Sequence, residues 1–393
     1  MQAVIIAAGE SKRFWPLNNG IHKSQFKLLG KPLVYWALKG LAENDIRDVA
    51  IVVGKNSSMR GMLAKENVRQ LADGMKINYL VQEEPLGTGN ALWQAKDFIK
   101  ERFVLLWGNK AGSKELVKQI IEKQKKDNAD AVLVGTAAGN PSEYGVFRFD
   151  GEKVAEIVEN PDQGKEPSNI AFAGARLLAP DFFEYYEKLS KHHEADLVDA
   201  TNIYLKDKKV SLLMSEGKGL TLKYPWDLFS IMDVLFELQK PAISPSAKIG
   251  KNVVIDGPVY IGENCVIGHH NVLRGPVNLE ANCKTGVFME IKHSIVQEGT
   301  TFHSGYLGDS IIGKNCRFGA GFITGNLRFD KKPIYGLPKL GVIVGDNSAF
   351  GIHSGIMPGV LIGANCVVGP GTHVFKDLPD HTAYYAKPEN VIK

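Results

Sequence analysis

ISPSAKIGKNVVIDGPVYIGENCVIGHHNVLRGPVNLEANCKTGVFMEI, running from Ile243 to Ile291, decides the fold of this chain. Counted in sixes it gives Ile243, Ile249, Ile255, Ile261, Ile267, Leu273, Leu279, Thr285 and Ile291. All but Thr285 are large aliphatics. A helix repeats at 3.6 residues and a simple strand at two, so a strict six is neither. It is the hexapeptide repeat of a parallel β-helix, in which each hexad is a short strand and a turn. Three hexads close one triangular coil, and the aliphatic points inward onto its equivalents above and below. Gly250, Gly262 and Gly268 follow aliphatics where the chain must turn.

The rhythm breaks after Ile291, resumes at Ile312, Phe318 and Thr324, breaks again, and then runs Val344, Phe350, Ile356, Ile362, Val368 and Val374. Residues 297–311 and 330–343 are therefore expected to leave the coil as loops. Loops held on a rigid scaffold are where binding and catalysis concentrate; the alternative is a plain spacer prism. Cys265, Cys283, Cys316 and Cys366 all fall at the fifth hexad position, shared with Ala247, Val253, Val259 and Val277. They are expected to be small inward-facing core residues. No CxxC spacing suggests a metal or disulfide framework.

The chain has 393 residues, enough for two domains. With 47 basic and 43 acidic residues its net charge is +4, which does not call for nucleic acid but suits small anionic substrates. No apolar run approaches the length of a membrane span. The opening Met-Gln-Ala-Val-Ile-Ile lacks the basic region and cleavage site of a signal peptide, so a cytoplasmic location without membrane association is expected.

Before the repeats, strands alternate with helices. The pattern predicts strands at 3–7, 48–54, 76–82, 103–107 and 131–135, and helices at 33–43, 60–73 and 113–127. It adds a hairpin around Asp150-Gly151, a strand at 170–178, a polar-faced helix at 181–191 and a joining helix at 228–239. Such alternation indicates an α/β domain with a mainly parallel sheet. Ligands bind such sheets at the carboxyl ends of the strands. Those ends carry Ala8-Gly9, Gly87-Thr88 after Gln82, and Gly108-Asn109. The loop Gly9-Glu10-Ser11-Lys12-Arg13, with Lys23 further on, gathers cations beside backbone N–H groups, a natural cradle for phosphate. It is neither a dinucleotide fingerprint nor a Walker loop. The expected division is residues 1–240 as one domain and 241–393 as the repeat domain.

These residues carry a resemblance. Ala7-Ala8-Gly9, Arg13, Pro16-Leu17, Lys23 and Gly30-Lys31-Pro32 resemble the sugar-1-phosphate nucleotidylyltransferases, whose α/β domain is Rossmann-like. Gln82 with Gly87-Thr88 matches their nucleobase-reading segment, and Tyr144-Gly145-Val146 with Glu159-x-Pro161 their sugar side. The repeat domain resembles the left-handed parallel β-helix of the archaeal-type bifunctional glucosamine-1-phosphate acetyltransferase/N-acetylglucosamine-1-phosphate uridylyltransferases. Glu290-Ile291-Lys292, His303-x-x-Tyr306-x-Gly308-Asp309, Gly319-Ala320-Gly321, Asn326 and Lys332 carry that match.

The resemblance implies a nucleoside triphosphate of the UTP or dTTP class, a sugar-1-phosphate, acetyl-CoA, Mg²⁺ and a homotrimer. In nucleotidylyl transfer the sugar phosphate attacks the α-phosphorus and pyrophosphate leaves, so the protein mainly aligns groups and neutralises charge. Arg13 would hold the triphosphate and Lys23 the charge at the α-phosphate. Ala8, Gly9, Gln82, Gly87 and Thr88 would bind the nucleotide, and Gly145 and Glu159 the sugar. In acetyl transfer His303 would take the proton of the attacking amine, a role suited to an imidazole. Lys292, Tyr306 and Lys332 would hold the sugar phosphate and Asn326 orient the amine.

The chain also departs from the family. Asn109 and Thr221 stand where it has Mg²⁺-binding Asp residues; Ser11, Asn160, Phe172 and Arg317 replace a Gly, a Lys and two Asn. Neutral oxygens hold Mg²⁺ less well than carboxylates, which counts against nucleotidylyl turnover. Asp227 is read as an N-terminal cap of the following helix. Two other readings follow from the same residues: an active nucleotidylyltransferase whose β-helix only trimerises, or a non-catalytic nucleotide-sugar-binding regulatory subunit.

Overall fold

A computed structural model describes residues 1–65, 74–215 and 222–387. The chain forms two compact units: Met1–Glu10 with Leu33–Thr221, and Ser11–Pro32 with Leu222–Lys393.

The first unit is built on strand β1, Gln2–Ala7, which is buried along its whole length. Its alternate side chains serve two cores. Ala3, Ile5 and Ala7 pack with helices α1 (Leu33–Ala42) and α4 (Ser113–Asp127), while Val4 and Ile6 pack with α3 (Thr88–Trp93), α5 (Phe182–Glu187) and α6 (Asp196–Asp207). A strand covered on both faces has no polar alternation, which is why it reads as a continuous apolar run. Around it lie β2 (Asp48–Gly54), β3 (Lys76–Gln82), β4 (Phe103–Trp107), β5 (Ala131–Ala137), β8 (Ile170–Leu178) and β9 (Val210–Met214), in the order β9-β5-β8-β4-β1-β2-β3. All neighbours are parallel except β8, which runs antiparallel between β4 and β5. The hairpin of β6 (Gly145–Asp150) and β7 (Lys153–Glu159) turns at Asp150-Gly151 and pairs onto β8.

Three elements differ from expectation. The helix at 181–191 is only α5, Phe182–Glu187, because the chain then bends toward α6. Helix α6 and strand β9 were not anticipated. Helix α2 occupies Met59–Lys65, and residues 66–73 of the expected 60–73 helix lie outside the described residues.

The second unit contains the β-helix. Its strands pair in parallel with equivalents one coil away, eighteen residues on in the first coils, as in Ile249↔Ile267 and Ile261↔Leu279. The counted aliphatics from Ile261 to Ile291 form the core, and the four cysteines are fully buried among them with free thiols. On one face the inward positions become aromatic, and Phe302, Phe318 and Phe350 stack in sequence with 4.6 Å between ring centroids. Coil corners adopt left-handed backbone at Asn252, Asn264, Asn282, Asn315, Asn347 and Asn365, a conformation Asn tolerates well. Close stacking also explains the glycines: a Cβ on Gly262 would sit 2.7 Å from the backbone nitrogen of Ala281 on the next coil.

The expectation that 297–311 leaves the coil is incorrect. Thr301–Phe302 and Gly305–Gly308 remain paired to the coils on both sides. The coil absorbs the break by shortening. The spacing falls to seventeen at Lys284↔Thr301 and to sixteen at Ile295↔Ile311. The second break is a true excursion: Ile311↔Ile343 and Ile323↔Gly355 are each 32 residues apart. Its base is tied by Leu340 N donating to Asn326 O (3.0 Å) and Gly341 N to Asp309 O (2.7 Å).

Segment Ser11–Pro32 packs on the β-helix. Leu29 N donates to Asn278 Oδ1 (2.7 Å), Gly30 N to Glu280 Oε1 (3.1 Å), and Gln297 Nε2 to Lys27 O (3.0 Å). Asn278, Glu280 and Gln297 are buried, so the coil spends three polar positions on receiving this segment.

Gly262→Ala is expected to lower stability by about 2–3 kcal/mol through overpacking between coils, read as a drop in urea midpoint with unchanged slope.

Candidate functional site

In the first unit the strand ends deliver the expected residues. Gln82, buried at the end of β3, donates to Gly87 O (3.0 Å) and Asn90 Oδ1 (2.9 Å), pinning the glycine loop that opens α3. Gly87 has φ +99° and passes close to Glu194, where a Cβ would lie 2.8 Å from Cα. The loop is braced by a residue the sequence reading missed. Asp196, fully buried at the start of α6, accepts from Gly89 N (3.1 Å), Tyr186 OH (2.7 Å) and His192 Nδ1 (3.2 Å). Its segment, His192-His193-Glu194, reads as solvated polar chain, and nothing in its pattern marks a buried carboxylate.

Gly145 and Glu159 are register partners on the hairpin, and a Cβ at Gly145 would lie 2.6 Å from Glu159 Oε2. Phe172 packs edge-on against Phe147 and lies under the Arg176 guanidinium at 4.3 Å. Arg176, also missed, is fully buried on a bulge of β8 and donates to Thr201 Oγ1 (2.9 Å) and Gly174 O (3.1 Å). Burial pushes its pKa down to about 9, with Glu159 opposing. Asn109 and Lys110 at the end of β4 are both buried.

In the second unit, Ser11 takes left-handed backbone (φ 57°), which accounts for the family's glycine there. Its Oγ accepts from Lys23 N (3.1 Å). Lys23 Nζ donates to Leu222 O. Burial pushes the Lys23 ammonium down to about 8; Asp227 opposes this, and Arg13 and Lys223 add to it. Arg13 itself is exposed. Asp227 opens helix α7 (Asp227–Leu238), but its Oδ2 accepts from Lys223 N and Tyr224 N, both at 2.7 Å. It ties the turn before the helix rather than capping the helix's own N–H groups. Burial raises its pKa despite those bonds.

Mg²⁺ does not fit the donor at the end of β4: Asn109 offers a neutral amide where a hard cation is best held by a carboxylate. Thr221 lies outside the described residues. Among the described residues no group of three or more His, Cys, Asp or Glu side chains is placed to hold a metal.

On the β-helix a polar cluster forms around Asp309. Its Oδ2 accepts from Asn326 Nδ2 (2.5 Å) and lies 3.6 Å from Lys292 Nζ. Its Oδ1 is 3.0 Å from His293 Nδ1. Asn326 Nδ2 also donates to Tyr306 OH (3.2 Å). Three of the expected acceptor-site residues, Lys292, Tyr306 and Asn326, are thus brought together on successive coils. Arg274 stands one rung from Lys292, in register with it, and is ion-paired to Glu290. Burial would raise the Asp309 carboxyl, but His293, Asn326 and Lys292 hold it below the usual range. Burial, Asp309 and Glu290 raise the Tyr306 phenol.

His303 and Lys332 are exposed, and among the described residues neither side chain bonds to this cluster. Lys332 lies on the excursion, where its N–H donates to Asp330 Oδ1 (3.2 Å). Tyr335, further along, stacks on Trp226 at 4.1 Å, and Trp226 on Tyr224 at 4.8 Å. Arg274, His293 and Asp233 were missed by sequence reasoning, although the rung spacing places Arg274 and Lys292 side by side once coils are counted.

An α/β unit with these strand-end loops, followed by hexapeptide coils, defines a nucleotidyl transferase joined to a hexapeptide-repeat transferase. The Nucleotidyl transferase family matches residues 2–226. The bacterial transferase hexapeptide family (six repeats) matches 241–275, and the hexapeptide repeat of succinyl-transferase matches 341–376. The chain is 36% identical to the "Bifunctional protein GlmU" of Methanococcus maripaludis strain C7, across 100% of this chain and 99% of that protein. It is 32% identical to the "Bifunctional sugar-1-phosphate nucleotidylyltransferase/acetyltransferase" of Sulfurisphaera tokodaii, across 96% and 98%. The chain belongs to this bifunctional family. A UDP-glucose pyrophosphorylase solved with UDP-glucose shares the fold of the first part, with TM-score 0.54 and 22% identity over 61% of this chain and 100% of that one. No helix among the described residues is long and apolar enough to cross a membrane.

Asp196→Ala strips the acceptor from two buried donors and is expected to cost about 2–3 kcal/mol, measured by urea denaturation.

Proposed function

We propose that the β-helix, residues 241–393, transfers acetyl from acetyl-CoA to the amine of an amino-sugar-1-phosphate. The observation that carries this is the convergence of Lys292, Tyr306 and Asn326 around Asp309, with Arg274 one rung away. Two cations on adjacent rungs suit a phosphate, and an amide beside a phenol suits an amine or hydroxyl. His303 acts as general base. The amine nitrogen bonds to the thioester carbon, the amine proton passes to His303, the carbon–sulfur bond breaks, and His303 returns that proton to the departing thiolate, so CoA leaves as the thiol. Lys332 adds a second contact to the sugar phosphate.

The exposure of His303 and Lys332 in a single chain fits a site completed by a neighbouring coil in a homotrimer. Phe288, Ile323 and Phe375, exposed at 66%, 54% and 69%, supply apolar surface for that association. A cytoplasmic setting suits these substrates.

The head, residues 1–240, binds a nucleoside triphosphate of the UTP or dTTP class and a sugar-1-phosphate. Ala8, Gly9, Gln82, Gly87 and Thr88 hold the nucleotide, Arg13 and Lys23 its phosphates, and Gly145 and Glu159 the sugar. A second reading, a head that binds ligand without turnover, is favoured by the neutral amide of Asn109, a weaker ligand for Mg²⁺ than a carboxylate.

His303→Ala is expected to cut CoA-thiol release with glucosamine 1-phosphate by about 10²–10⁴-fold while the melting temperature holds; an unchanged rate would remove the assignment. Pyrophosphate release with Mg²⁺ is expected to rise by about tenfold or more in Asn109→Asp, since a carboxylate restores metal affinity. No rise would place the defect elsewhere than the charge at this position.

A further inference from the structure

His293 has no role in the chemistry above, yet it sits at the centre of the charged groups behind the acceptor pocket. It lies at a coil corner with left-handed backbone (φ 41°), and Asp309 takes the equivalent corner one coil on (φ 49°). The corner is also where the coil first shortens: Arg274 pairs with Lys292 but Val277 with Ser294, so two residues oppose the single His293. A bulky residue in left-handed backbone is costly, and such corners persist when surrounding contacts hold them.

Those contacts come from two elements. On the coil, His293 Nδ1 meets Asp309 Oδ1 at 3.0 Å. On helix α7, Phe229 stacks on the imidazole at 4.8 Å between centroids, and one turn later Asp233 Oδ1 comes within 3.8 Å of Nε2. Phe229 and Asp233 are four residues apart and therefore share a helix face. The ring is thus held between two carboxylates, with Lys292 reaching it only through Asp309. Burial alone would lower the His293 pKa, but Asp233 and Asp309 carry it up to about 9, so the ring is an imidazolium at neutral pH.

We propose that His293 is a positioning residue of the acceptor pocket, fixing the Asp309 carboxylate that aims Asn326 and sharing its charge so that Lys292 stays available to the sugar phosphate. The proposal rests on the acceptor-pocket reading given above. Asp309 is buried, with 8% of its side chain exposed, so its charge must be met by neighbours. Oδ1 is met by His293, and Oδ2 by Asn326 and Lys292. Without the imidazolium, Asp309 draws Lys292 into a full ion pair, and the ammonium is lost to an incoming phosphate. His293 touches no substrate; it acts through Asp309.

The sign of the pH effect follows from the raised pKa. The imidazolium is present below about 9 and is lost as pH rises through that value. Sugar-phosphate affinity therefore falls across pH 8 to 9.5.

The test uses the full chain, with acetyl transfer to glucosamine 1-phosphate and calorimetric binding of N-acetylglucosamine 1-phosphate. His293→Asn keeps a donor and removes the charge. It is expected to raise KM for glucosamine 1-phosphate by roughly five- to tenfold, with kcat within about twofold and KM for acetyl-CoA unchanged. Asp233→Asn should shift the same KM in the same direction by less. Binding to the wild-type chain should weaken from pH 8 to 9.5, and the His293→Asn profile should be flat. An unchanged KM in His293→Asn overturns the proposal. So does a parallel loss of kcat and both KM values with a lowered melting temperature, which would mark a purely structural role. If His293→Asn fails to fold, Asp233→Asn and the wild-type pH profile decide, and a flat wild-type profile overturns it. A wild-type chain that neither transfers acetyl nor binds the sugar phosphate overturns the pocket reading itself, and this proposal with it.

Discussion

Each coil of the β-helix hydrogen-bonds through its backbone to the coils beside it, and that ladder sets the terms for the rest of the unit. A parallel ladder tolerates no drift: if one strand slips by a residue, its inward side chains turn outward. Residue count per coil is therefore constrained, and local irregularity must be absorbed at corners. The structure shows two ways of absorbing it. Between Ile291 and Ile312 the coil shortens to seventeen and then sixteen residues while its strands stay paired. Between Thr324 and Ile343 the chain leaves the prism and returns in register, 32 residues separating Ile311 from Ile343.

The polar cluster is a product of this arithmetic. Rung-to-rung pairing puts Arg274 beside Lys292 and Glu290 beside Tyr306. Shortening draws the corners at His293 and Asp309 over one another. The excursion then brings Asn326 in from its own base, where Leu340 and Gly341 tie it down. Four separate stretches meet there: Arg274, Glu290 to His293, Tyr306 to Asp309, and Asn326. Their meeting is cheap because the ladder has already paid the ordering entropy.

How much of this was legible in the chain differs by element. The period of six identified the coils because each inward position must be filled by something large and apolar, and from Ile243 to Ile291 only Thr285 departs from that demand. The limits of Phe103–Trp107 were legible because its side chains are almost all buried and it ends at Gly108; those of Lys76–Gln82, a half-exposed edge strand, because polar residues and Pro85 follow it. The shortened coils were not, since a lost residue breaks the count on paper in the same way as a loop does. The Gly-x-Asn steps at Gly250, Gly262, Gly313, Gly345 and Gly363 do carry a turn signal, and counting them would have kept the thread through the second half. Asp196 and His293 were invisible because their partners, Gly89 and Asp309, are set by tertiary approach. Lys292, Tyr306 and Asn326 were found through family likeness, not through any local pattern of their own.

The packing of Ser11–Pro32 onto Asn278, Glu280 and Gln297 has an effect on how this chain can be divided. These three side chains are buried polar groups whose partners are backbone atoms from the far end of the sequence. A fragment starting at the first hexad would present them as naked wet patches in an otherwise oily wall. Such a fragment would be less soluble and less stable than the count of its coils suggests, so the prism and the opening loop are best regarded as co-inherited parts that recombination cannot easily separate.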